Sequence, residues 1–129
     1  MILEARTVFA VALGGAVGSL LRWLVELVLP ASTGTVPWGT LLVNVLGSVL
    51  LAGAVVVLDS GVGSVVHRSF LGTGVLGGFT TFSTYAVQVA VLGDVAPATA
   101  LAYLVATPLL CVAVAWLAAA WVRRAWGLP

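Results

Sequence analysis

Residues 74–85 constrain the fold most, because glycines and hydroxyls there interrupt an apolar segment of membrane-spanning length. The segment runs from about residue 69 to residue 92, and roughly 24 helical residues extend about 36 Å, enough to cross a bilayer. Near its midpoint a Gly-Gly pair precedes Thr-Thr-Phe-Ser-Thr-Tyr, in which five of six residues carry a hydroxyl. This pattern fits either a helix closely packed through small residues or a broken helix that builds an ion site. We predict the broken helix, whose freed backbone groups need partners other than lipid.

Composition places the whole chain in a membrane. Of its 129 residues 62% are hydrophobic and 7% are charged, whereas soluble domains carry about 25% charged residues. Four apolar segments cover residues 7–29, 38–58, 69–92 and 97–122, and short connections make neighbouring segments antiparallel. We therefore predict an all-α integral membrane protein of four transmembrane helices, forming one membrane domain over residues 1–129. Asp94 is a candidate N-cap for the last helix.

Several function classes are disfavoured by what the sequence contains. Acidic and basic residues nearly balance, which argues against a nucleic-acid partner. One cysteine and one histidine argue against a zinc site and allow no internal disulfide, and no nucleophile–base pair converges to suggest an enzyme. A small multidrug-type transporter needs a carboxylate inside the membrane, but all four acids lie at segment ends (Glu4, Glu26, Asp59 and Asp94). A non-conducting membrane subunit remains an alternative.

The first segment carries a small-residue face followed by an arginine. Gly14 and Gly18 form a GxxxG pair, and Arg22 follows one turn later on the same face. Such a face packs against protein, so Arg22 is expected to point into the bundle and to attract anions. The alternative is an arginine that snorkels to the nearby interface.

Polar residues in the second and third segments could serve packing or ion passage. Asn44 either bonds two helices together or presents an amide N–H to an anion, and Gly47 would let another helix approach. Phe82 and Tyr85 share a helix face, where they either pack in the core or turn their positive ring edges to a small anion.

The fourth segment carries a polar stripe. Tyr103, Thr107 and Cys111 recur at four-residue spacing. Pro108 removes a backbone hydrogen bond and frees the carbonyl of Leu104. The stripe is either structural or lines a narrow path beside Asn44 and the two rings.

Three motifs together resemble the Fluc/CrcB family of fluoride channels. They are residues 14–22 (GGAVGSLLR), 39–47 (GTLLVNVLG) and 77–84 (GGFTTFST). The third is highly specific, and the resemblance extends over the length of the chain. Three positions depart from the family's pattern. Tyr85 replaces the expected Phe, Gln88 replaces Glu, and Cys111 replaces Ser.

The resemblance implies a fluoride-selective channel that exports fluoride passively through an antiparallel, dual-topology-type dimer in the plasma membrane. The third helix would break at the midplane, where the backbone carbonyls of Gly77 and Thr80 hold a structural Na⁺. Arg22 would lie in the vestibule. The implied pore residues are Asn44, Phe82, Ser83, Thr84, Tyr85, Tyr103, Thr107 and Cys111. On this basis we expect Asn44→Leu to lower flux and to leave assembly largely intact.

Arginine placement predicts the orientation. With four spans, Arg6, Arg68, Arg123 and Arg124 share one side of the membrane, and the opposite loops carry at most Arg22. By the positive-inside rule both termini are expected in the cytoplasm. An antiparallel dimer would then need a homologous chain of opposite bias, unless a homodimer tolerates the bias.

Overall fold

The computed structural model describes residues 2–128, and those residues form helices without any strand. Four segments are long and apolar enough to cross a membrane, which confirms the prediction of an all-α, multi-pass membrane protein. The elements are α1 (Ile2–Val28), α2 (Trp38–Asp59), α3 (Val65–Arg68), a π-helical segment (Ser69–Leu76), α4 (Gly77–Phe79), α5 (Phe82–Val95) and α6 (Pro97–Trp126). Elements α3 to α5, with the π-helical segment, make up the third span.

Several helices extend beyond the apolar segments that predicted them. Helix α1 begins at Ile2 rather than residue 7, and α6 continues to Trp126 rather than residue 122. Helix α6 then ends at Gly127, whose φ of 62° suits a left-handed C-cap. The length of an apolar segment indicates the part of a helix that lies in the hydrocarbon core, whereas the helix itself can continue through polar residues into the interface. Asp94 is not the predicted N-cap of the last helix, because α5 continues through it to Val95.

The third span is broken at Thr80 and Thr81, as predicted. Thr80 has ψ 155° and Thr81 has φ −145° and ψ 120°, so both backbones are extended between α4 and α5. The Gly77–Gly78 pair itself stays helical, and the break follows it. The Thr81 side chain then starts α5 as an N-cap by accepting a hydrogen bond from the Thr84 N–H.

The break divides the third span between two packing partners. Its first half packs on α1, and its second half, α5, packs on α6, which also packs along α2. Gly14 and Gly18 make the first contact possible: a Cβ on Gly14 would overlap the Phe70 carbonyl oxygen, and one on Gly18 would overlap that of Val75. The predicted small-residue face thus packs within the chain.

The surface and the interior have the distribution expected in lipid. Large apolar side chains such as Phe9, Leu109 and Trp116 stand outward, with exposed fractions of 70%, 65% and 70%. The buried polar residues are Thr40, Asn44, Thr81 and Thr107. Polar side chains therefore gather around the break, where backbone groups need partners.

Candidate functional site

A groove of about 350 Å³ opens beside the break, between α2, α5 and α6. It brings together five of the residues predicted for the pore: Asn44, Phe82, Tyr85, Thr107 and Cys111. Ser48, Thr80, Thr81 and Pro108 also line it. No acidic side chain is among the described residues that line the groove.

Asn44 holds the break by bonding both backbone groups of Thr81. Its Nδ2 donates to the Thr81 carbonyl at 3.0 Å, and its Oδ1 accepts from the Thr81 N–H at 2.8 Å. Thr81 is extended and precedes α5, so its N–H has no acceptor within a helix. Of the two roles left open for Asn44, the structure therefore provides the one that joins helices, and one Nδ2–H remains for another acceptor. This pairing changes the expectation for Asn44→Leu, which would also remove both bonds from the break.

The hydroxyls after the break bond chiefly to one another. Thr81 Oγ1 accepts from the Thr84 N–H at 3.1 Å and donates to Thr84 Oγ1 at 2.9 Å. Ser83 Oγ lies 3.4 Å from Thr81 Oγ1 on an exposed residue. Neither Ser83 nor Thr84 is among the described residues that line the groove, and their pore role stays a prediction.

The two predicted rings touch but differ in exposure. The Phe82 and Tyr85 ring centroids lie 5.8 Å apart. Tyr85 is 6% exposed and meets Tyr103 edge-on at 5.2 Å, whereas Phe82 is 80% exposed. Phe82 thus projects from the surface at the middle of the third span, and its ring forms the rim of the groove.

The hydroxyl of Tyr85 bonds to the carbonyl that Pro108 frees. It donates to the Leu104 carbonyl oxygen at 2.6 Å. In an α-helix that carbonyl would accept from the N–H four residues later, which proline lacks. The extra hydroxyl that distinguishes Tyr85 from phenylalanine is therefore directed at α6.

The polar stripe of α6 divides between two environments. Tyr103, which is 2% exposed, donates to Gln88 Oε1 at 3.1 Å, and Gln88 Nε2 donates to Thr40 Oγ1 at 2.9 Å. This network joins α2, α5 and α6 away from the groove. Thr107 and Cys111 line the groove itself.

Thr107 has an unusual hydrogen-bonding state. It is 4% exposed, and its Oγ1 has no hydrogen-bond partner among the described residues. A buried hydroxyl without a partner costs about 1–3 kcal/mol. The oxygen itself is buried in the wall of the groove, so this hydroxyl is a donor without a partner beside any occupant.

Arg22 lies behind the break rather than along the groove. Its Nε donates to the Gly78 carbonyl at 3.4 Å, and its Nη1 lies 3.7 Å from Glu26 Oε1. The side chain is partly buried and points into the bundle, as expected. The sequence analysis did not predict the ion pair with Glu26, one turn further along α1.

The carbonyls of Gly77 and Thr80 lose the donors that a continuous helix would offer. The Thr81 N–H, four residues after Gly77, goes to Asn44. The Thr84 N–H, four residues after Thr80, goes to Thr81 Oγ1. Both oxygens therefore lack their usual helical donor, and the Na⁺ site at these carbonyls stays a prediction.

Sequence reasoning missed the residues that support this site. Thr40 and Ser48 lie one turn to either side of Asn44, and Ser48 Oγ donates to the Asn44 carbonyl at 2.7 Å. The signal was their four-residue spacing along one face of α2. Gly47 did provide the predicted close approach, since a Cβ there would overlap the Thr80 methyl group.

Comparison with known proteins adds an independent observation. The family described as CrcB-like protein, Camphor Resistance (CrcB), matches residues 9–119. The chain is 49% identical over 106 residues to the fluoride-specific ion channel FluC 2 of Streptomyces avermitilis, covering 81% of this chain and 67% of that protein. It is 45% identical over 123 residues to FluC 1 of Streptomyces coelicolor, covering 94% and 79%. It is 41% identical over 113 residues to FluC 2 of Nocardia farcinica, covering 86% and 81%.

Proposed function

We propose, since this chain belongs to the CrcB-like protein family, that it is a fluoride-selective channel that lowers cytoplasmic fluoride by passive export. The names of its relatives, fluoride-specific ion channels, support this function. The membrane would be the plasma membrane, and the transported ion would pass the groove beside the break.

The unpartnered Thr107 hydroxyl is the observation that carries the proposal. It is a buried donor on a residue that lines the groove, and the described lining of that groove includes no acid. The second Asn44 N–H and the positive ring edges of Phe82 and Tyr85 are further groups that would attract an anion to the groove. Fluoride is strongly hydrated, so a dry path must replace its water with donors of this kind.

Thr107 substitutions test the proposal in fluoride efflux from liposomes. Thr107→Val keeps the shape and removes the donor, so flux should fall while the free energy of unfolding does not. Thr107→Ser is the matched control: it should conduct, although losing a methyl group costs about 0.8 kcal/mol of stability. If Thr107→Val conducts as fast as the wild type, the Thr107 hydroxyl does not contact the transported ion. No flux through an assembled wild-type dimer would refute the channel function.

We also propose that a structural Na⁺ binds the Gly77 and Thr80 carbonyls. Several kcal/mol are lost for each polar backbone group left unsatisfied in a dry interior, and a resident cation would offset that cost. Replacing Na⁺ with a large organic cation should lower both thermal stability and flux. Unchanged stability and flux after complete Na⁺ removal, with no substitute cation, would contradict this site.

An antiparallel dimer explains the exposed centre of the third span. Thr73, Gly77, Phe82 and Ser83 are exposed at mid-span depth. Lipid cannot bond the polar groups among them, so a second subunit is expected to cover this face. We propose that the two subunits meet here, with Phe82 of each directed toward the other.

Orientation decides between a homodimer and a heterodimer. The arginine bias predicts both termini in the cytoplasm, which favours a homologous partner chain of opposite bias. Single cysteines introduced at either terminus, in a Cys111→Ser background, can be labelled in whole cells. Labelling only after permeabilisation supports the heterodimer, whereas equal labelling from both sides supports a homodimer. If flux appears only with the partner present and survives Thr107→Val, this chain is instead a non-conducting subunit.

A further inference from the structure

A second groove lies on the opposite packing unit, between the start of α1 and the start of the third span. Its volume is about 840 Å³. Seven of its described lining residues are apolar: Ile2, Ala5, Phe9, Ala10, Leu13, Val66 and Phe70. The remaining three are polar and lie toward one end: Arg6, Ser64 and His67.

The groove reaches from the membrane interface into the apolar layer. Along α1 its lining runs from Ile2 to Leu13, which at 1.5 Å per residue is roughly 16 Å. One leaflet with its headgroup region is about 20 Å thick. Both bordering segments begin at the same side of the membrane, so the polar end lies at a membrane surface and the apolar end points toward the midplane.

The polar end offers positive charge that the protein does not neutralise. Arg6 is exposed and makes no hydrogen bond or ion pair with the described residues. Arg68, by contrast, donates to the Leu58 carbonyl and lies 3.5 Å from Asp59 Oδ1. His67 Nδ1 contacts Ser64 Oγ at 2.8 Å, which leaves the far side of the imidazole ring available. No acidic side chain is among the described residues that line this groove.

We propose that this groove binds one acidic phospholipid. The lipid phosphate contacts Arg6 and the Ser64–His67 pair, and one acyl chain lies along Phe9, Leu13 and Phe70. Charge complementarity favours an acidic lipid, because a zwitterionic headgroup would bring a second cation toward Arg6. The predicted cytoplasmic location of this end agrees with the anionic surface of that leaflet.

Native mass spectrometry of the purified dimer can test the site with phosphatidylglycerol and phosphatidylcholine. We expect preferential retention of phosphatidylglycerol, and one arginine at the surface contributes about fivefold in affinity. Arg6→Gln should therefore lose about that factor, while Arg6→Lys should retain most of it. Arg124→Gln is the matched control, since Arg124 is exposed but does not line the groove. Ala5→Phe should fill the groove and release the lipid without removing charge.

Three results would overturn the proposal. Equal retention of the two lipids would exclude recognition of the headgroup. Equal losses from Arg6→Gln and Arg124→Gln would show general surface attraction. An Ala5→Phe variant that loses dimerisation but keeps the lipid would assign the groove to a subunit contact. Thermal melting of each variant confirms folding, and none of these readouts depends on fluoride flux.

Discussion

The bond between Tyr85 and Leu104 can be tested by removing its donor and by replacing Pro108. Tyr85→Phe leaves the Leu104 carbonyl without the hydroxyl that lies 2.6 Å away. A buried acceptor without a partner costs about 1–3 kcal/mol, while hydrogen bonds between spanning helices reach about 1.7 kcal/mol. We therefore expect Tyr85→Phe to lower the free energy of unfolding by about 1–2 kcal/mol. Flux should stay close to wild type, because the hydroxyl faces α6 rather than the groove.

Pro108→Ala supplies the missing N–H four residues after Leu104. In that background the Leu104 carbonyl has a helical donor, so Tyr85→Phe should cost about 1 kcal/mol less, measured as the coupling in a double-mutant cycle. Unfolding in detergent, followed by circular dichroism, gives the four free energies. The control is Tyr103→Phe, since Tyr103 donates to Gln88 and should cost the same in both backgrounds. An equal cost of Tyr85→Phe with and without Pro108 would refute the reasoning.

Two further pairs of variants test the break and the packing behind it. Asn44→Leu removes both side-chain bonds to the Thr81 backbone and leaves its N–H unpaired, at about 1–3 kcal/mol, so it should destabilise the fold more than Ser48→Ala. Equal free energies of unfolding for the two variants would leave Asn44 with a pore role alone. Gly18→Ala forces a Cβ into a backbone carbonyl and should cost about 1–3 kcal/mol in thermal or chemical unfolding. A Cβ on Gly15 meets nothing within 4 Å, so Gly15→Ala should stabilise α1 by up to about 1 kcal/mol. Similar changes in stability for Gly18→Ala and Gly15→Ala would contradict the close packing of Gly18 on the third span.

Sequence reasoning succeeded where a local pattern favours one structure over its alternative. A midplane run of hydroxyls after two glycines weakens a continuous helix, and the break lies at Thr80 and Thr81. A glycine pair on one helix face permits close approach, and Gly14 and Gly18 contact the third span. Pro108 was expected to free the Leu104 carbonyl, and that carbonyl does accept a bond from a side chain.

Other features could not be read from the sequence, because they depend on which distant group arrives at each position. The pairing of Asn44 with Thr81 joins residues 37 apart, and no local pattern distinguishes it from a free amide. The exposures of Phe82 and Tyr85 differ because α5 packs on α6 with only one of the two rings inside. The π-helical segment at Ser69–Leu76 carries no composition that separates it from an α-helix.

The break also explains how four helices can provide both a rigid scaffold and a polar groove. A continuous third helix would present one face to α1 along its whole length, and its hydroxyls would bond to its own turns. The extended residues Thr80 and Thr81 end that contact, so α5 can pack on α6 while the first half stays on α1. Asn44 then bonds the Thr81 N–H and carbonyl, and Thr107, which lines the groove, keeps a buried hydroxyl without a partner. Thr107 takes no part in holding the break, whereas Asn44 holds it and has one N–H left over. Thr107→Val should therefore change flux without stability, and Asn44→Leu should change both.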